Sequence, residues 1–203
     1  MNVTTITAGA VATNSYVISN GLNECIVVDP GDGIFEIIRF LDKNALECKY
    51  VFLTHAHFDH CDGCRELRRR GVKVYMSADD LSLLSTGDNL AEAFGEKFEQ
   101  FEPDVLVNDG DELLLLGEKF NVIATPGHTK GSVCYKVNGA LFTGDTLFRL
   151  SIGRTDFPTG NYADMKNSLA KLFALDGDYI VYPGHGDKST LSYERKYNPY
   201  ARI

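Results

Sequence analysis

Three histidines and an aspartate fall within six consecutive positions of the 203-residue chain, in Thr54-His55-Ala56-His57-Phe58-Asp59-His60. Residues two apart in extended backbone point the same way, so His55 and His57 can grip one cation together. Imidazoles with carboxylates suit zinc or a similar first-row metal. Asp59 and His60 come where the chain turns toward a helix, and that turn swings them away from the first pair, toward a second cation. Burying so many titratable groups unpaired would be costly, which disfavours a purely structural cluster.

The other two histidines sit in similar surroundings. His128 lies in Thr125-Pro126-Gly127-His128-Thr129 and His185 in Tyr182-Pro183-Gly184-His185-Gly186, each just after a β-rich run. Pro-Gly makes a rigid turn that leaves the imidazole at a strand end. A lone histidine there is usually an ordinary loop residue; the repeated Pro-Gly-His shifts the balance toward ligation. Asp145 follows Phe142-Thr143-Gly144, again at a strand end. Separate strands delivering ligands to one edge is how a scaffold assembles a site. All five histidines therefore read as metal ligands.

The elements that must position these groups are short. Thr13–Ser19 and Asn23–Asp29 read as strands joined by the turn Asn20-Gly21, a hairpin. Asp29-Pro30-Gly31-Asp32-Gly33 ends the second, and Ile34–Leu41 has apolar residues at helical spacing. Tyr50–Leu53 is an apolar strand of the kind buried on both faces. Glu66–Arg70 continues a helix that Gly71 closes, and Val72–Met76 is a further strand. Leu113–Leu116, Phe120–Ala124, Val133–Val137, Ala140–Phe142 and Tyr179–Tyr182 read as strands, with a helix over Tyr162–Leu175. Strands in each half with helices between them suggest packed sheets covered by helices.

The motifs VVDPGD around Asp29, THAHFDHCDG, TPGHT, FTGDT and PGHG, in this order, resemble the metallo-β-lactamase superfamily, and within it the glyoxalase II-like hydrolases. The resemblance spans the chain. It implies an α+β fold, an αββα sandwich of two mixed sheets packed face to face and flanked by helices, as one domain over residues 1–203. It assigns His55, His57 and His128 to a first metal and Asp59, His60 and His185 to a second, with Asp145 bridging. The cofactors are then two divalent ions, zinc first, with iron or manganese compatible. Two cations sharing one water lower its pKa toward neutrality, and the resulting hydroxide attacks a polarised carbonyl. Asp59 is expected to orient that nucleophile and carry a proton. Asp29 and Thr54 are expected behind the ligands, holding imidazole tautomers or the ligand loop; the plain alternative for Asp29 is a turn residue.

The expected substrate is a small-molecule glutathione-type acyl thioester such as S-lactoylglutathione. Arg154 is the candidate for its carboxylate, because a guanidinium pairs with carboxylates through two hydrogen bonds. The equal alternative is that Arg154 pairs with Asp156 or with a backbone carbonyl. Glyoxalase II proteins usually have Gly-Lys-Phe near this point, whereas this chain has Gly153-Arg154-Thr155-Asp156-Phe157. It also stops soon after His185, resembling short bacterial members without a helical C-terminal substrate domain. The chief rival is an iron-dependent persulfide dioxygenase with one iron on His55, His128 and Asp145; such proteins share the Gly-Arg-Thr-Asp-Phe segment. A lactonase shares the full ligand set. A β-lactamase is disfavoured by Asp145, where many have Cys. A nuclease would need an inserted domain and a basic face, and an inert metal-binding module fits poorly with a complete ligand set.

A net charge of −8 disfavours nucleic acid and acidic membranes as partners. No run approaches the roughly 18 apolar residues of a membrane span, and the N-terminus lacks a secretory pattern. Five cysteines without such a pattern suggest free thiols in a cytoplasmic protein. Cys61-Asp62-Gly63-Cys64 has zinc-finger spacing but no second pair to close a site. The basic run Arg65–Arg70 reads as a solvated helix face. Phe94, Phe98 and Phe101, at helical spacing, read as core or lid packing. Oligomeric state stays open.

Overall fold

A computed structural model describes residues 1–202. The chain divides into two compact units, Met1–Val107 and Asn108–Ile203. Each contains one six-stranded mixed sheet with helices, an α+β organisation.

The first unit begins with β1 (Asn2–Ala8), β2 (Thr13–Ser19) and β3 (Glu24–Val28). β2 and β3 form the expected hairpin, with Tyr16 opposite Val28 and Ser19 opposite Cys25. β1 pairs antiparallel with β2 and carries no strong apolar signal: it is an edge strand, exposed or half-buried throughout. Helix α1 (Ile34–Lys43) follows, then β4 (Glu47–Phe52), the short helices α2 (Phe58–Cys61) and α3 (Cys64–Arg69), β5 (Lys73–Ser77) and β6 (Val105–Val107). The order is β1-β2-β3-β4-β5-β6, parallel from β3 onward. β4 thus has a parallel neighbour on each side, and Val51, Phe52 and Leu53 are wholly buried. One face of α1 supplies Ile34, Ile37 and Leu41 to a core with Val17, Val27, Val51, Leu53, Leu67 and Val74.

The segment between β5 and β6 packs two of its three phenylalanines on the core without forming a helix. The spacing of Phe94, Phe98 and Phe101 looks helical, yet only three 3₁₀ turns form, Ala78–Leu84, Gly87–Asn89 and Glu92–Phe94. Left-handed Leu90 and Gly95 cap the last two and stop propagation. Phe101 is buried in the core and Phe98 packs against it, while Phe94 is half exposed with its ring 5.4 Å from that of Phe58. The basic run behaves as a solvated face: Arg69 and Arg70 pair with Glu66, Arg68 with Asp104 and Arg65 with Glu99.

The second unit contains β7 (Glu112–Leu115), β8 (Glu118–Ala124), β9 (Val133–Val137) and β10 (Ala140–Gly144), then the two-residue strands β11 (Leu147–Phe148) and β12 (Ser151–Ile152). Helix α4 (Tyr162–Phe173), β13 (Ile180–Pro183), β14 (Ser189–Thr190) and helix α5 (Leu191–Tyr197) complete it. The order is β14-β13-β10-β9-β8-β7, with β10 and β13 parallel. Asn161 caps α4 by accepting from Ala163 and Asp164, and Thr190 caps α5 by accepting from Tyr193. Met165, Leu169 and Leu172 of α4 close a core with Ile123, Leu141, Leu147, Val181 and Leu191.

All five cysteines are free thiols. Cys61 and Cys64 are fully buried in the first unit's core, and burial pushes both thiols well above their ordinary pKa. Among the described residues no helix is long and apolar enough to cross a membrane.

Candidate metal centre

In the first unit the ligand loop leaves the end of β4. His55, His57, Asp59 and His60 are all buried. The rings of His55 and His57 lie 4.8 Å apart and nearly perpendicular, those of His55 and His60 4.1 Å apart. His57 is the last extended residue before α2, whose first turn carries Asp59 and His60.

Asp29, at the end of the neighbouring strand β3, holds this loop. One oxygen, Oδ1, accepts the Thr54 amide at 2.7 Å. Oδ2 accepts the Thr54 hydroxyl at 2.7 Å and faces Nδ1 of His60 at 3.0 Å. Asp29 adopts a left-handed conformation, φ +51°, which Asp tolerates better than most residues. Its amide donates to Phe52 and its carbonyl accepts from Ser15 Oγ and from Gly31, so the conformation is held on every side. Glycine is required at position 31: a Cβ there would overlap the carbonyl oxygen of Asp59.

These bonds fix tautomers. His60 Nδ1 must carry its proton to bond the Asp29 carboxylate. The Thr54 hydroxyl spends its proton on Asp29, so at 3.1 Å it accepts from Nδ1 of His55. Both imidazoles are left with Nε2 as an electron-pair donor. Asp59 receives the Thr13 hydroxyl at 2.6 Å, and its Oδ2 lies 3.3 Å from Nε2 of His60.

In the second unit the Pro126-Gly127 turn delivers His128. Gly127 has φ +145°, and a Cβ on it would overlap Met165 of α4. Asn161 N–H donates to Gly127 O at 2.8 Å and Ser168 Oγ to Pro126 O at 2.7 Å, clamping the turn to α4. His128 Nδ1 donates to the carbonyl of Arg154 at 2.7 Å, which again frees Nε2. His185 follows Gly184, whose amide donates to Gly144 O at the end of β10. Asp145 comes next in that strand's path. Its Oδ2 lies 3.5 Å from Nε2 of His128 and 3.5 Å from Nε2 of His185. Gly153 permits the returning loop to touch it, since a Cβ at 153 would overlap the Asp145 carbonyl.

Lone-pair nitrogens facing carboxylate oxygens at 3.3–3.5 Å repel unless a proton or cation lies between them. Neutral His and ionised Asp in this arrangement form the donor set that first-row metals take. All seven side chains belong to His/Asp groups able to hold a metal ion.

Arg154 carries a second role beside its carbonyl. Its Nε and Nη2 form a fork with both oxygens of Asp156, at 2.9 and 2.8 Å. The guanidinium also stacks 4.0 Å from the ring of Phe157, which meets the His128 ring edge-on at 6.2 Å. Asp156 is held below the usual carboxylate range by Arg154, and Arg154 is raised in turn. Both groups are exposed.

Sequence reasoning missed Thr13, Ser15 and Asp80. Asp80 is buried and its Oδ2 accepts the Ala56 amide at 3.1 Å. It follows β5 as Asp29 follows β3 and Asp145 follows β10, so an aspartate just past a strand end was the available signal.

A family model described as the metallo-β-lactamase superfamily matches residues 8–185. A hydroxyacylglutathione hydrolase of Haemophilus influenzae is 33% identical, with 98% of each chain covered. An uncharacterized Mycobacterium tuberculosis protein is 37% identical over 98% of this chain and 97% of its own. Among solved structures, the B3 metallo-β-lactamase BLEG-1 matches with a TM-score of 0.94 and 32% identity over 100% of both chains. TTHA1623 in a di-iron-bound form matches at 0.87 and 32%, over 97% of this chain and 99% of its own. ETHE1 from Myxococcus xanthus matches at 0.83 and 28%, over 100% of this chain and 85% of its own. Donor chemistry, fold and family model agree, and the chain belongs to the metallo-β-lactamase superfamily.

Proposed function

We propose that the chain is a binuclear metal hydrolase acting on a glutathione-type acyl thioester. His55, His57 and His128 would hold one metal, Asp59, His60 and His185 the other, and Asp145 would bridge. The observation that carries the reading is Asp145, one of whose oxygens is equidistant from Nε2 of two histidines. The substrate class is supported by the Haemophilus relative, matched over 98% of its length. Zinc is the first choice of ion, and the site's chemistry admits iron or manganese.

Bound divalent cations supply acidification of a water and polarisation of the thioester carbonyl. The chain's own groups do the rest. Asp59, steadied by the Thr13 hydroxyl, orients the attacking water and takes up a proton. As the acyl C–O bond forms and the C–S bond breaks, that proton goes to the departing thiolate. Asp29 and the Arg154 carbonyl keep the imidazoles in the tautomer that presents Nε2. The Arg154 guanidinium receives the substrate carboxylate. Exchanging one carboxylate for another is cheap because an ion pair in full contact with water is screened and weakly held. The reaction needs no membrane or nucleic acid, and we place it in the cytoplasm.

Turnover of S-lactoylglutathione by metal-replete protein tests the proposal. A rate no greater than that of His55→Ala or Asp59→Ala protein would sink it. The second reading, a persulfide dioxygenase with one iron on His55, His128 and Asp145, is favoured by Gly153-Arg154-Thr155-Asp156-Phe157; the 32% identical neighbour in a di-iron-bound form supports iron as a metal for this fold but not a single-iron site. One iron per chain with oxygen consumption on glutathione persulfide would select it.

A further inference from the structure

Asp80 stands within the 3₁₀ turn Ala78–Leu84 that follows β5 and is fully buried. Removing an ionised carboxylate from water costs several kcal/mol unless donors meet it. One donor is the backbone N–H of Ala56, 24 residues away in sequence. Ala56 is itself wholly buried and lies between His55 and His57. β4 runs between β3 and β5, with Phe52 opposite Val28 on one side and Tyr75 on the other. The ligand loop is therefore held from both neighbouring strands: Asp29 takes the Thr54 amide, Asp80 the Ala56 amide.

We propose that Asp80 is a positioning residue that sets the angle between His55 and His57, and so their grip on one cation. It rests on the metal-centre reading above but not on the thioester. Side chains at i and i+2 point together only while the peptides between them are fixed. Rotation of the peptide before Ala56 would splay the two imidazoles, whose rings now stand at 89°. The anchor is stiff: Leu83 and Leu84 of the same turn are sunk in the core, and Ser77 Oγ accepts the Asp79 amide at its start.

The test is zinc affinity, measured by competition with a chromophoric chelator, together with the visible spectrum of cobalt-loaded protein. Asp80→Ala is expected to weaken zinc binding about 10–100-fold and to alter the cobalt bands. Asp80→Asn keeps an oxygen for Ala56 and should stay within about threefold of the native protein. Asp80→Ser, too short to reach the amide, should follow Asp80→Ala and serves if the alanine variant does not fold. Ile37→Ala opens the same core from α1, away from the Asp80 turn; it should lower the melting temperature without changing zinc affinity. The proposal is overturned if Asp80→Ala or Asp80→Ser binds zinc like the native protein, if Asp80→Asn is as weak as either, or if Ile37→Ala weakens zinc equally. Native protein that binds zinc but cleaves no thioester sinks only the substrate reading. Native protein that binds no zinc overturns both.

Discussion

Nδ1 of His60 lies 3.0 Å from Oδ2 of Asp29, 31 residues earlier in the chain. The same carboxylate receives both the amide and hydroxyl of Thr54. Removing it leaves buried donors without an acceptor, so Asp29→Ala is expected to cost about 3 kcal/mol or more of stability. Asp29→Asn tolerates the left-handed backbone and can still accept from Thr54, but its amide nitrogen cannot accept from His60. It should fold, with metal affinity lowered about 10–100-fold. Chemical denaturation and chelator competition separate the two effects; native-like affinity in Asp29→Asn would refute the tautomer argument.

Gly31 and Gly153 each face the backbone carbonyl of an aspartate, Asp59 and Asp145. A methyl group at either must displace backbone rather than a flexible side-chain end. Gly31→Ala and Gly153→Ala should each lose about 1–3 kcal/mol and bind metal more weakly. Gly87→Ala, likewise without a positive φ and with nothing nearer its Cβ than Glu92 Oε2 at 3.9 Å, is the control for adding a methyl group without a backbone clash. Equal effects at all three sites, read by denaturant midpoint and metal content, would show that contact with the aspartates is irrelevant.

Arg154 is paired with Asp156 on the surface, where solvent screens the pair, so breaking it should leave stability essentially unchanged. The expected effect lies in KM. Arg154→Ala should raise KM for a thioester bearing a carboxylate and leave it unchanged for one that lacks it. Asp156→Asn, which removes the competing carboxylate, should lower KM for the first substrate. Steady-state kinetics on both substrates check this, and a parallel KM change for the two would remove Arg154 from substrate recognition.

Cys48 lies opposite Cys25 across the parallel pair β3–β4, and a hydrogen bond with Cys25, followed by burial, pushes its thiol well above the ordinary value near 9. The folded state thus retains a proton that the unfolded chain gives up. This stabilisation is fully present below the unfolded pKa and is lost as pH rises above it toward the folded value, with a slope of at most about 1.4 kcal/mol per pH unit. Denaturant midpoints should fall as pH rises past the unfolded thiol's pKa of about 8.5, and Cys48→Ala should flatten the fall; an unchanged slope would contradict the assignment.

The candidate His/Asp cluster was readable because its logic is local: His55, His57, Asp59 and His60 sit within six positions, and Pro-Gly-His recurs. The long core elements were readable too, since α1 and α4 place apolar residues on one face. Thr13 and Asp80 were not, because each acts across a sheet on a residue dozens of positions away. β1 escaped because half-exposed, Thr-rich edge strands carry little apolar signal. Packing of Phe98 and Phe101 was readable from their spacing, but their local conformation was not, because spacing says nothing about left-handed stops at Leu90 and Gly95. The Arg154–Asp156 pair was one of two equal readings, and only side-chain geometry could place it.

The bonds from Asp29 to Thr54 and His60, and from Asp80 to Ala56, span 24 to 31 residues and require β3, β4 and β5 to be aligned first. Loop-closure entropy must therefore be met by the apolar core before the ligand loop takes shape. Metal capture is therefore expected to follow folding rather than drive it, unlike a zinc finger, whose chain is unfolded without its ion. The expected behaviour is that of a preformed receptor: a chelator should leave the sheets standing, and added metal should bind without the chain passing through the unfolded state.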